Sequence, residues 1–347
     1  MDERPPRRPC GVGDALLRVD WIVEAMTLSG GVRVVVELAE GLAARGHEVR
    51  IVTKDAGDGW IVPSVPVLVV PAFTRESLPE GDVAVATWFP TVVPALRAGR
   101  HRRVLHFCQG YEGLHSFLAH RLGEIEEAYA APVARLAVSP HLVELLEPRF
   151  GGTWYVLPPS LRAEAFVPPA RTAPAGVPTL GLAGPFEWAA KGAAVGLAAV
   201  EALARGGRAA RLHRLSPLPL SNAERRLREP DRYDVALPAA AMPAWYHALD
   251  LLLFPSYPEG EGLGLPPLEA MAAGVPVVMT DIPSLRFVPL SAASKVPPGD
   301  AGAIAAEAAR LLDDSALWLA WRAEGQRFAA TLAPARALDR LEEALAS

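Results

Sequence analysis

A chain of 347 residues, 51% hydrophobic and 21% charged, has the apolar material for two cored domains of roughly 100–200 residues each, which excludes a disordered polymer. Its formal net charge of −5 offers no basic field and excludes a general nucleic-acid binder. Two cysteines, Cys10 and Cys108, build neither a disulfide framework nor a four-cysteine zinc site and fit a reducing cytoplasm.

Residues 1–15 read as a mobile N-terminal tail. Arg7 and Arg8 are followed by Asp14, Arg18 and Asp20 rather than by the apolar run of a signal peptide. No run of about 18 or more apolar residues occurs, so no membrane span is expected. Ile22 and Val23 close a first strand, and Ser29-Gly30-Gly31 follows. Val34, Val35, Leu38 and Leu42 then recur at helical spacing up to a stop at Gly46. Short apolar runs at 49–53, 67–70, 83–87, 104–108 and 134–138 read as strands. Ser139-Pro140 has the composition of a helix start, with Ser as N-cap and Pro in the first turn.

Near residue 158 the composition changes. Six prolines between Pro158 and Pro178 fix φ and remove backbone donors, which predicts an extended linker. Beyond it, 180–183, 209–215, 249–254 and 275–280 read as strands, and 191–203, 301–312 and 333–345 as helices. Near-continuous apolar strands alternating with helices imply parallel sheets covered on both faces. The expected organisation is an α/β protein with a first Rossmann-like domain at 16–157, a proline-rich linker at 158–178 and a second Rossmann-like domain at 179–332. A final helix at 333–347 has packing back onto the first domain open to it. Ligands of such sheets sit at the carboxyl ends of the strands, which places a site in the cleft between the domains.

The most informative segment runs from Pro255 to Val278: PSYPEGEGLGLPPLEAMAAGVPVV. A strand ends at Phe254 and a glycine-rich turn follows. Pro266 or Pro267 opens a helix that stops by Gly274. Gly262 and Gly264 allow close backbone approach to a ligand, and the helix N-terminus suits an anion. Glu261 in the turn and Glu269 in the first helical turn offer carboxylates to sugar and ribose hydroxyls. The plainer alternative has Glu269 offsetting a helix dipole and the glycines serving only the turn.

This segment resembles the retaining GT-B glycosyltransferases of family 4, the group 1 glycosyl transferases, whose hallmark is Glu, seven residues, Glu within E-G-F-G-L-P-x-L-E-A-M-A-x-G-x-P-V-V. Glu261 and Glu269 have that spacing, and Leu263 stands where Phe is usual. The resemblance implies two Rossmann-like parallel-sheet domains facing each other across a cleft. It implies that Glu261 contacts the transferred sugar, that the backbone of Gly262, Leu263, Gly264 and Leu265 lines sugar and diphosphate, and that Glu269 binds the ribose. Ser29-Gly30-Gly31-Val32 is similar to the family's glycine loop facing the diphosphate. Gly184-Pro185 followed by Lys191-Gly192 is similar to its G-R-x-x-x-x-K-G, with Lys191 kept as a phosphate cation and Pro185 in place of the arginine. Gln109 stands where many relatives carry a histidine near the reacting sugar, and His106 takes that place only if the strand ends earlier. The Gln109-Gly110-Tyr111-Glu112 form looks like a subgroup containing rhamnosyltransferases of surface-polysaccharide pathways.

The activity so implied moves a hexosyl or deoxyhexosyl unit, with retention, from a nucleotide-diphosphate sugar to a hydroxyl of a glycan, lipid-linked or small-molecule acceptor. The sugar nucleotide is a co-substrate, and no cofactor is expected. The absence of an Asp-x-Asp and of any His/Cys cluster with ligand spacing predicts a metal-independent site. Glu261, Lys191 and Gln109 form the expected catalytic set. A sugar-nucleotide epimerase or phosphorolytic enzyme, and a non-catalytic sugar-nucleotide-binding module, remain open on the same fold. Arg97, Arg100, Arg102 and Arg103, with His101 among them, form the one basic cluster. They read either as a solvated loop or as a peripheral contact with anionic lipid at the inner face of the membrane.

Overall fold

The structure, a computed structural model, describes residues 16–167 and 170–347. The tail expected at 1–15 lies outside the described residues, as do Pro168 and Pro169. The first domain comprises β1 (Arg18–Val23), α1 (Gly30–Ala44), β2 (Glu48–Thr53), β3 (Val67–Val69), β4 (Gly81–Ala86), α2 (Phe89–Ala98), β5 (His101–Cys108), α3 (Leu122–Ala130), β6 (Ala134–Ala137), α4 (Pro140–Phe150) and β7 (Trp154–Val156). Its seven strands lie in the order β3-β2-β1-β4-β5-β6-β7, all parallel.

The second domain comprises β8 (Thr179–Ala183), α5 (Ala193–Arg205), β9 (Arg211–Ser216), α6 (Asn222–Leu227), β10 (Arg232–Val235), α7 (Met242–His247), β11 (Leu251–Phe254), α8 (Leu265–Ala272), β12 (Val277–Thr280), β13 (Ser294–Val296), α9 (Ala301–Asp313) and α10 (Ser315–Ala330). Its six strands run parallel in the order β10-β9-β8-β11-β12-β13. Alternate side chains of β11 enter separate cores: Leu252 and Phe254 pack with α8 residues, Leu251 and Leu253 with α5 and α9 residues. Burial on both faces is why this strand is apolar throughout.

The strand order reverses between β1 and β4 in the first sheet and between β8 and β11 in the second. Crevices at the carboxyl ends of strands open at such reversals. Here they place Gly30, Gly184 and the 255–264 turn at the cleft.

The final helix, α11 (Pro334–Ala346), leaves the second domain and packs on α1. Leu338, Leu341 and Leu345 join the first domain's core. Arg45 pairs with Glu342 at 2.5 Å, and Arg103 donates to the carbonyls of Leu345 and Ala344 at 2.7 and 3.1 Å, closing the helix C-terminus.

Three local expectations are corrected and a fourth is refined. The stretch 158–178 is not simply extended: Leu161 and Phe166 are buried against the second domain, a 3₁₀ turn forms at Ala163–Phe166, and the Leu161 amide donates to the Leu332 carbonyl at 2.7 Å. Burying Leu161 and Phe166 removes apolar surface from water, which holds this part of the stretch on the second domain. Ser139 is the N-cap of α4 and Pro140 its first residue, as expected, but the Ser139 side chain makes no cap bond; its hydroxyl donates instead to the Gly262 carbonyl at 3.0 Å. Lys191 ends a 3₁₀ turn and does not open a helix, because Gly192 sits at φ 67° ahead of α5. A Cβ at Gly192 would stand 2.0 Å from the Pro255 carbonyl oxygen, so only glycine fits. Leu265 rather than either proline opens α8, after Gly264 at φ 76°, which puts Glu269 in the second turn.

Candidate active site

A cavity of about 890 Å³ lies between the domains and is lined by both. On the first-domain side α1 starts at the carboxyl end of β1, with Ser29 accepting from the Val32 amide at 3.2 Å as its N-cap. Gly30 and Gly31 form the first turn and border the cavity. A Cβ on Gly31 would come within 3.2 Å of the Gln109 amide nitrogen, and one on Gly30 within 3.2 Å of a Leu265 methyl. The absence of side chains thus brings the N-terminus of α1 against both Gln109 and the start of α8.

Gln109 follows β5 directly, lines the cavity and donates from Nε2 to the Gly31 carbonyl at 3.3 Å. His106 lies behind it, fully buried, with its ring edge-on to Tyr129 at 4.8 Å and neither ring nitrogen partnered. Burial, helped by the Arg135 charge, drives its pKa down to about 3, so His106 is neutral. His115 does border the cavity, edge-on to Trp188 at 5.0 Å, with its pKa lowered by burial and by Lys191.

On the second-domain side, Lys191 Nζ donates to Glu261 Oε1 at 2.7 Å and to the Gly260 carbonyl at 2.8 Å, above the Trp188 ring. Ser256 donates to the same carboxylate oxygen at 2.8 Å. Glu269 is 3% exposed. Its Oε2 accepts from the Tyr246 hydroxyl at 2.8 Å, and its Oε1 accepts from Arg33 Nη1 of the first domain. Burial raises the Glu269 pKa, while the Arg33 charge works the other way. Arg33 also donates from Nε to Glu37 at 2.9 Å.

Gly262, Leu263, Gly264 and Leu265 all border the cavity. At Gly262 the domains touch: a Cβ there would lie 1.6 Å from the Gln109 carbonyl oxygen. Leu263 packs against the cores of both domains. The helix α8 points its N-terminus at the cavity, but Pro266 and Pro267 take two of its first-turn N–H groups away. Pro185 borders the cavity and brings no charge to it. The cleft therefore collects Gly30, Gly31, Gln109, Lys191, Glu261, Glu269 and the 262–265 turn around one space. Among the described residues no group of three or more His, Cys, Asp or Glu side chains could hold a metal ion.

Arg33 is the cavity residue that sequence reasoning passed over. Its signal was a cation in the first turn of a helix, where the dipole disfavours positive charge. The basic cluster, by contrast, is internally paired. Arg97 meets Glu127 at 2.7 Å, Arg100 meets Glu80 at 3.0 Å, Arg102 meets Asp82 at 3.6 Å and Arg103 caps α11. No helix among the described residues is long and apolar enough to cross a membrane.

Residues 177–314 match the model of a family described as Glycosyl transferases group 1. The lipopolysaccharide core biosynthesis mannosyltransferase LpsB of Rhizobium meliloti (strain 1021) is 61% identical over 41 residues, 12% of this chain and 11% of that protein. The O-antigen chain mannosyltransferase B of Escherichia coli is 38% identical over 91 residues, 26% of this chain and 22% of that protein. The matched segments span less than a quarter of either relative. Among solved structures, the sucrose-phosphate synthase from Thermosynechococcus elongatus is similar in fold, with a TM-score of 0.76 over 94% of this chain and 97% of that one at 19% identity.

Proposed function

We propose, from the match of residues 177–314 to the group 1 glycosyl transferases, that the chain moves a hexosyl or deoxyhexosyl unit from a nucleotide-diphosphate sugar to an acceptor hydroxyl. The observation that carries this reading is the convergence of Lys191, Glu261 and Glu269 on one interdomain cavity bordered by Gly30, Gly31 and Gln109. Glu269 holds the ribose, Glu261 a hydroxyl of the transferred sugar, and Lys191 the diphosphate. The cavity space between Glu261 and Gln109 takes the sugar.

The transfer proceeds with retention. The acceptor oxygen bonds to the anomeric carbon on the face from which the diphosphate departs, the carbon–oxygen bond to phosphate breaks, and the acceptor proton passes to the leaving phosphate oxygen. No enzymic nucleophile is required. The protein positions the two substrates and offsets charge on the departing diphosphate with Lys191 and the α1 N-terminus. That work needs no metal ion. The two mannosyltransferase relatives act in lipopolysaccharide core and O-antigen chain formation by their names, which favours a cell-surface glycan or its lipid-linked precursor as acceptor and the cytoplasmic face of the membrane as the place of action. The rhamnosyl subgroup suggested by Gln109-Gly110-Tyr111-Glu112 makes a deoxyhexose donor part of the test.

The test is a panel of sugar nucleotides screened by thermal shift. A donor at about 100 times its dissociation constant stabilises by about 2.7 kcal/mol. The binding donor is then incubated with and without acceptor glycans, in EDTA and in magnesium. Glycosylated product formed only with acceptor, and undiminished by EDTA, is expected. Conversion of the donor alone identifies an epimerase or phosphorolytic enzyme. Loss of Glu269 as Glu269→Ala should weaken donor binding about ten- to a hundredfold.

A further inference from the structure

Three cations and four carboxylates line the cavity: Arg33, Lys191 and Arg286 against Glu144, Glu259, Glu261 and Glu269. Arg286 and Glu144 stand at the rim, 3.6 Å apart and each 67% exposed, where solvent screens them. That leaves two inner cations, and both are paired: Lys191 with Glu261 and Arg33 with Glu269. Such a cavity carries no positive excess, so it is poorly suited to a doubly charged diphosphate unless its ion pairs exchange partners on binding. The cation expected beside Lys191 is absent: position 185 is proline, and position 186, which stands five before Lys191 as the arginine of G-R-x-x-x-x-K-G does, is phenylalanine.

Arg33 has the placement to supply that charge. It lies one helical turn from Gly30-Gly31, and helical side chains lean toward the N-terminus, here toward the cavity. Its partner Glu269 lies one turn from Leu265, the residue that meets Gly30 across the cavity. The guanidinium therefore bridges the helix starts of both domains. Its side chain is only 14% exposed. Five N–H donors let it keep its bond from Nε to Glu37 while Nη1 and Nη2 change partner.

We propose that Arg33 is the second diphosphate cation of this site, contributed by the first domain. The inference rests on the donor reading given above. In the structure Arg33 holds Glu269 and so ties α1 to α8. As the donor enters, the ribose hydroxyls take over Glu269 and Arg33 turns to the diphosphate, so that each charge exchanges one partner for another and none is left bare. The residue that binds the leaving group is then the same one that ties α1 to α8, so diphosphate binding exchanges a direct tie between the domains for one made through the donor.

The experiment is calorimetric titration of the full chain with uridine, guanosine and adenosine diphosphates, with the matching nucleosides as competitors. Arg33→Ala should weaken the preferred diphosphate by about ten- to a hundredfold, with nucleoside affinity unchanged or tighter because Glu269 is released. Arg33→Lys should recover part of the loss, as a point charge without the fork. Melting temperatures of both variants check the fold. Equal losses for diphosphate and nucleoside, or a diphosphate that binds Arg33→Ala as well as wild type, would overturn the assignment. A wild-type chain that binds no nucleoside diphosphate while folded brings down the donor reading itself, an outcome distinct from either result for Arg33.

Discussion

Lys191 and Glu261 form an ion pair with 2.7 Å between Nζ and Oε1, joining the turn after β8 to the turn after β11. The pair stands at the reversal of the second sheet, and Ser256 fixes the same carboxylate oxygen from below at 2.8 Å. Two close glycine approaches hold the pair in place. Gly192 lets the Pro255 carbonyl pass, and Gly260 lets the Ala190 carbonyl pass, where a Cβ would come to 2.0 and 2.5 Å.

Replacing Lys191 tests the charge rather than the shape. Lys191→Ala should lower kcat by about 10²–10³, the scale seen for removal of one preorganised group at a developing charge. Lys191→Arg should lose less, because a cation remains beside Glu261. Steady-state kinetics with saturating acceptor check this, and an Ala variant with wild-type kcat/KM would remove Lys191 from the mechanism.

Gln109 faces the cavity and His106 faces the core, so their variants should separate. Gln109→Ala should cost about 1–3 kcal/mol in kcat/KM. His106→Leu should leave kcat/KM within about twofold, since an apolar side chain of similar size replaces two unpartnered ring nitrogens at little cost. The pH–rate profile should show no essential group near the histidine pKa of about 6.5. A His106→Leu loss exceeding that of Gln109→Ala would reverse the assignment.

Gly262 marks the point where the domains close. A Cβ there would overlap the Gln109 carbonyl at 1.6 Å, so Gly262→Ala must part the domains locally. Both domains should stay folded by circular dichroism, while kcat/KM falls about a hundredfold, the scale of an ångström-sized misplacement. Unchanged kinetics would mean that catalysis proceeds from a more open cleft.

Beneath the Gln109-Gly110 turn, the Tyr129 hydroxyl oxygen lies 2.7 Å from both the Gly110 carbonyl and Glu112 Oε2, and its single proton serves one of the two at a time. Burial lifts the Glu112 pKa to about 7, against the opposing bond from Tyr129. A raised folded pKa means that the Glu112 contribution to stability is full below pH 4.5 and is lost as pH rises through about 7. His106 has the opposite sign. Its contribution is full above pH 6.5 and is lost as pH falls toward about 3. In urea titrations, Glu112→Gln should therefore gain on wild type as pH rises from 4.5 to 7, and His106→Leu should gain as pH falls below 6.5. Differences that do not vary with pH would show that neither group is perturbed in the fold.

Much of this protein was legible in the chain itself. The parallel sheets followed from apolar strands such as Leu251–Phe254, because a strand covered on both faces has no polar side to show. The 255–278 segment announced its turn and helix through Gly, Pro and Glu at fixed offsets, since those effects act within a few residues. Elements with weaker local signals escaped: β10 is a polar edge strand, RYDV, and β13 spans three residues.

What only the tertiary structure decided involves partners far apart in sequence. Arg33 and Glu269 are 236 positions apart, and Ser139 and Gly262 are 123 apart. Ser139 stands at the N-cap of α4 as its local sequence indicates, but its hydroxyl serves the Gly262 carbonyl rather than the helix. Arg33 carries no motif of its own, and its role at the cleft follows only from its contact with Glu269 of α8. Composition and periodicity record whether a side chain will be buried. Which charge it is buried against is settled only where the two sheets' domains come into contact.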